Sequence, residues 1–351
     1  MMRYTILFLF FLLLLLSPLA SAQLYWLREG VYFKYAAKGD VVITQNSSIY
    51  RGSYGELFWR ILKVENDLAT VEAIFKAKNL TEERYNELTY EEAIERLNKL
   101  IFLYEGEKPS TIVGSCRIYP VEDNTWGEGV ARVCNETVSL EFSNYTYALW
   151  VRQDKGVEFI RKAVPKIERS IVFEINLRDN VLLYNRTPLG KNLLFISPGK
   201  IPREGELLFD LSGQGVKVEK SIILNDTIIH IPFKTFNPPI LHIQTNMVSS
   251  HDWKGMDVLY YDIASGILVT GFMPVSPLWK AFGFSSVVLF NEGSKISGGE
   301  MEGFGMILEE TNADLVLAKP LMGVEMPKLS FIIFLFSVLL LIISRAVRIW
   351  R

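Results

Sequence analysis

The sequence predicts a mainly β protein of the α+β kind: two curved antiparallel β-sheet domains with a few helices, preceded by a signal peptide and followed by one transmembrane helix. Three observations carry this. Short β-branched and aromatic segments punctuated by Gly, Pro, Asn and Asp fill most of the chain. A helical period of apolar residues is sustained only around residues 89–104. Both ends of the chain are far more apolar than the middle, and the middle is too long for one ordinary core.

Residues 1–22 hold one Arg, an apolar run from Ile6 to Leu16, a break at Pro18, then Ala20-Ser21-Ala22. That order is the layout of a secretory leader cleaved before Gln23. The run of eleven residues would rise only about 16 Å as a helix, well short of a bilayer core of about 30 Å. At the other end, sixteen uncharged residues follow Lys328 and are closed by Arg345, Arg348 and Arg351. A span over 329–347, a juxtamembrane stretch at 321–328 and an inner basic tail at 348–351 follow from the positive-inside rule. Residues 23–327 then face outward.

The first ectodomain is placed at 23–155. GELFWRILKVENDLATVEAIFKA has two apolar runs around Glu65-Asn66-Asp67, a hairpin signature. From Thr81 the period shifts: Ile94, Leu97, Ile101 and Tyr104 share a helical stripe, and Thr89-x-x-Glu92 forms a capping box. Glu82, Glu83, Glu91, Glu92 and Glu95 read as a solvated face near that helix's start. TVSLEFSNYTYALWV alternates as a strand, whereas VEFIRKAVPKIERS, charged and interrupted by Pro165, reads as a domain boundary or short connecting helix.

The second ectodomain, 156–320, is a series of short strands: RSIVFEINL, NVLLYN, KNLLFISP, GELLFDLS, VKVEKSIIL, TIIHIPF and PILHIQT. VLYYDIASGILVTGF is a hairpin, and Ser276-Pro277 through Gly283 has the N-cap, first-turn Pro and Gly stop of a short helix. SSVVLF, SGGEMEGFG and MILEE follow.

Function classes are narrowed by charge. Lys plus Arg is 37 against 39 carboxylates, so there is no basic excess for a nucleic-acid backbone. All carboxylates lie between residues 23 and 327, which makes the ectodomain acidic. Cys116 and Cys134, the two cysteines, both fall in the exported part and are expected to form a disulfide. Sequons occur at Asn46, Asn79, Asn135, Asn144, Asn185 and Asn225, where composition alone would give about two. The excess marks glycosylation at Asn46, Asn79, Asn135, Asn144 and Asn225, with Asn185 set apart by the nearby Pro188.

Signatures of zinc proteases, P-loops, serine hydrolases and EF-hands are absent from the sequence. His230, His242 and His251 fall within 22 residues, the first two in the look-alike settings Ile229-His230-Ile231 and Leu241-His242-Ile243. They are candidate metal ligands if β-pairing brings them together, and strand or loop residues with local partners if it does not. Glu300 and Glu302 are a candidate carboxylate pair for glycoside chemistry or, equally, part of a hairpin turn.

The strand pairs GVYFKY and LFWRILKVENDLATVEA, the hairpin YYDIASGILV, the turn LWKAFG and the span ending in Arg resemble uncharacterised surface proteins of hyperthermophilic archaea. That resemblance implies a membrane-anchored ectodomain and no particular activity. The expected function is non-catalytic: binding an envelope glycan, lipid or protein, without cofactor. The alternatives are a surface hydrolase acting on glycans or peptides, and an accessory subunit of a transport or secretion complex.

Overall fold

The computed structural model describes residues 24–197, 200–250, 253–292 and 295–315. The leader at 1–22, His251 and the span at 329–347 lie outside the described residues. Among the described residues no helix is long and apolar enough to cross a membrane.

The strands are β1 (Tyr32–Gln45), β2 (Ser48–Glu65), β3 (Leu68–Thr89), β4 (Thr111–Val113), β5 (Cys116–Asp123), β6 (Gly127–Val133), β7 (Thr137–Phe142), β8 (Tyr145–Val151), β9 (Lys155–Asn176), β10 (Val181–Tyr184), β11 (Thr187–Lys191) and β12 (Leu207–Leu211). They continue as β13 (Gln214–Leu224), β14 (Ile228–Ile231), β15 (Lys234–Phe236), β16 (Ile240–Thr245), β17 (Val248–Ser250), β18 (Trp253–Gly255), β19 (Val258–Asp262), β20 (Leu268–Phe272), β21 (Ser286–Leu289), β22 (Lys295–Ser297), β23 (Glu300–Glu302) and β24 (Met306–Thr311). Helix α1 is Tyr90–Phe102 and α2 is Pro277–Phe282.

Antiparallel pairing runs β12–β13–β16–β19–β20–β24–β1–β2–β3–β9–β10–β11. The two ends of this series lie against each other at Gly190, where an added Cβ would stand 2.3 Å from the Phe209 Cβ and 2.9 Å from the Leu208 carbonyl oxygen. The sheet therefore curls round one large core. At its centre Phe33 stacks on Trp59 at 4.5 Å, and Trp26 meets Phe33 edge-on at 5.0 Å. Trp26 is held by its indole N–H, which donates to the Ser265 carbonyl at 2.8 Å.

A second, smaller cluster comprises Ala93, Leu97, Tyr119, Ala131, Val133, Val138, Leu149 and Val151. Its sheet, β4–β5–β6–β7–β8, grows off the first half of β9, and α1 covers it. The two clusters do not follow the expected boundary at residue 155: the large core draws on 24–80 and again on 173–315. Nor is VEFIRKAVPKIERS a connecting helix. It lies inside β9, which pairs with β3 over nearly its whole length of 22 residues. Pro165 is tolerated because it sits opposite Asn79, where the ladder is interrupted and Asn79 takes φ 55°. A missing N–H costs nothing where the ladder makes no hydrogen bond.

Local signals elsewhere match the structure. β2 and β3 turn at Asn66-Asp67, with φ 51° at Asn66. Thr89 and Glu92 make the reciprocal capping box of α1, and Leu97 is buried on the predicted stripe. TVSLEFSNYTYALWV is two strands rather than one, turning at Ser143-Asn144. Glu82 belongs to β3, not to the helix, and is buried. Desolvation opposes its charge, but hydrogen bonds from Ser48 and Lys162 prevail and hold its pKa below the usual range. In KNLLFISP, Lys191 ends β11 and residues 192–197 are irregular apart from the bridge of Phe195 to Ile267, with Leu193 to Ile196 packed into the core.

Cys116 and Cys134 form the expected disulfide, flanking the paired residues Arg117 and Val133. Replacing both by Ser is expected to cost about 3 kcal/mol in the chain-entropy account. Denaturant unfolding of the small cluster is the readout, and an unchanged midpoint would refute the expectation.

Candidate ligand-binding cleft

A cleft of about 690 Å³ opens between α2 and the β12–β13 turn. Ser276 begins α2 by accepting a hydrogen bond from the Leu278 N–H at 3.1 Å, Pro277 takes the first helical position, and Gly283 ends it at φ 79°. Leu278, Trp279, Ala281 and Phe282 are buried, so Lys280 is the residue of this helix left facing water. Trp279 fixes the helix from beneath, donating to the Met273 carbonyl at 2.6 Å.

Arg169 of β9 locks the floor. Its guanidinium lies 4.5 Å from the Phe284 ring centroid, donates to the Phe282 carbonyl at 2.6 Å and donates to Gln45 Oε1 at 2.7 Å. One side chain thus ties β9, the β1–β2 turn and the end of α2 together. The opposite wall is the turn Ser212-Gly213, both residues at positive φ as a tight hairpin demands. Asp210 accepts the Gly213 N–H at 2.9 Å, while the Gln214 amide grips Ser249 of β17 through both of its ends, at 2.7 and 3.2 Å.

The remaining lining is Thr44, Asn46, Phe209, Leu211, Pro277 and Ser285. Hydroxyls and amides therefore stand over aromatic and proline surface, with one carboxylate, Asp210, and one ammonium, Lys280, among the described residues. Such a lining offers hydrogen bonds of both senses and little net charge, which suits a neutral ligand bearing hydroxyl or amide groups.

His230 and His242 do not lie on paired strands. His230 is on β14, paired with β15 and β23, and its Nδ1 is 3.1 Å from Thr235 Oγ1. His242 is on β16, between β13 and β19, with its ring 4.8 Å from that of Tyr260. Their strands are not paired, because similar apolar-His-Ile settings specify which face a residue takes, not which strand lies beside it. Burial and Lys220 hold the His242 pKa below its ordinary value. Among the described residues no three His, Cys, Asp or Glu side chains are placed to hold a metal ion.

Glu300 and Glu302 project from the outer face of β23, with Met301 buried between them, and the strand is entered through Gly298 and Gly299 at φ 61° and 87°. The six sequon asparagines are all exposed, and none of their side chains is engaged in a hydrogen bond among the described residues. Five stand in turns between strands, while Asn79 stands within β3 at φ 55°, opposite Pro165.

Sequence reasoning missed the cleft. Its walls come from residues 44–46, 209–214, 249 and 276–285, and only the α2 capping pattern was visible as a motif. No known protein family, curated protein or solved structure matches this chain.

Proposed function

We propose that this chain is an N-glycosylated outer-surface protein, tethered by one span at 329–347, whose cleft beside α2 binds a neutral envelope glycan without chemically altering it. The observation that carries this reading is the cleft's lining, in which hydroxyls and amides surround the Phe209, Pro277 and Phe284 surface. A hydrolase reading needs convergent acid and base groups. In this cleft Asp210 is engaged by its own turn, and His230 and His242 stand in separate sheets.

The path of the chain supports the tether. Leu315, from which the chain continues toward the span, accepts a hydrogen bond from Lys234, and nearby Asn312 donates to Gly30, which bonds Ile61 opposite Val71. Leu88 is seventeen residues beyond Val71 along β3, a rise of about 55 Å. The last described residue thus lies against the large core, and the α1 cluster sits at the far end of β3.

Filling the cleft tests the reading. Ser285 is exposed on its wall, and its backbone N–H is already satisfied by Thr44. Ser285→Trp is expected to weaken binding of neutral oligosaccharides of two to six sugars at least tenfold in calorimetric titration, with the melting temperature unchanged. Binding of the same panel with equal affinity by both proteins would sink the proposal.

A further inference from the structure

A second depression, about 490 Å³, lies between the two clusters and is lined in part by Asn79, Trp126, Asn144, Val164 and Pro165. Two sequon asparagines thus face one hollow whose wall is an indole. Trp126 stacks on Tyr145 at 4.7 Å with the rings 18° apart, and Tyr145 directly follows Asn144. The indole is positioned by its turn: the N–H groups of Thr125 and Trp126 donate to Asp123 Oδ1 at 2.7 and 3.0 Å. The Asn144 carbonyl accepts the Ala163 N–H at 3.0 Å, which fixes the β7–β8 turn against β9. Its side-chain amide is exposed and makes no hydrogen bond among the described residues.

We infer that the first sugars of a glycan carried on Asn144 lie in this depression against Trp126. The inference rests on the glycoprotein reading above. Sugar rings present C–H faces that pack on an aromatic plane, and the hollow has room for such a ring beside the linking amide. Asn144 is favoured over Asn79 because its turn carries Tyr145, the ring on which Trp126 rests. Asn79 lines the same hollow but lies opposite Pro165 in the β3–β9 ladder, away from that ring pair in sequence. A docked glycan would brace the junction between the large core and the α1 cluster.

The test uses the full chain purified from its native membrane, with site occupancy read by glycopeptide mass spectrometry. Trp126→Ala should lower the melting temperature by about 3 °C more in the chain carrying the Asn144 glycan than in an Asn144→Gln background. Thr146→Ala, which removes the sequon and leaves Asn144, should reproduce the Asn144→Gln result. Equal shifts with Asn144 occupied, or a coupling confined to Asn79→Gln, would overturn the docking alone. An unmodified Asn144 would also overturn it, and unmodified asparagines at every sequon would take the glycoprotein reading with it.

Discussion

Asp257→Asn is expected to make the protein more stable at neutral pH, by an amount that grows as pH rises. Asp257 is fully buried in the segment leading into β19. Its own N–H donates to Thr245 Oγ1 at 2.8 Å, and its Oδ1 accepts the Val275 N–H at 3.3 Å, one residue before the cap of α2. Oδ2 has no hydrogen-bond partner. Burial without a compensating cation pushes the carboxyl pKa well above the ordinary value, against the opposing pull of the Val275 hydrogen bond.

The sign follows from linkage. The native state keeps a proton that the unfolded chain releases near pH 4, so the stabilising contribution is complete below that pH and is lost as pH climbs toward the folded pKa. In that window the parent protein loses about 1.4 kcal/mol for each pH unit, and the amide loses nothing. Asn also keeps an acceptor for Val275. Denaturant titrations of both proteins from pH 4 to pH 8 should give curves that diverge with pH, and parallel curves would refute the assignment.

The sequence disclosed what is decided locally. Asn66-Asp67, Thr89 with Glu92, and Ser276-Pro277 with Gly283 satisfy backbone groups within a few residues of themselves, and each stands where expected. β9 escapes a reading of its pattern because its middle is exposed on one face and only half-buried on the other, where Val164, Ile167 and Ile171 alternate with charged residues and are broken by Pro165. Its pairing with β3 supplies what the pattern lacks. Asp257 and Arg169 belong to no motif: one matters through what is missing around it, the other through three partners 113 and 124 residues away or across a ring face. The cleft was illegible for the same reason, since sheet closure brings β12 beside α2.

The largest structural effect is expected from Gly156, where α1 rests on β9. A Cβ at this position would stand 2.2 Å from the Ala93 Cβ, against about 3.5–4.0 Å for two carbons in contact. Ala93 is fully buried at the centre of the α1 face, and its neighbour in the cluster, Leu97, has no other element to pack on than the sheet beneath. Gly156→Ala therefore has to lift the helix, and overpacking of this kind costs about 1–3 kcal/mol. Gly156→Val adds two methyls in the same direction and should remove α1 from the sheet. The cluster that loses it consists of only eight buried residues, two of them alanine, so it has little apolar surface to fall back on. The large core has its own aromatic centre and shares with this cluster the continuous strands β3 and β9. Gly156→Val should accordingly split unfolding into two steps. Hydrogen exchange should rise across residues 90–151 and stay at the parent rate in β1, β2 and β19, and a uniform rise through both clusters would show that they fold as one unit.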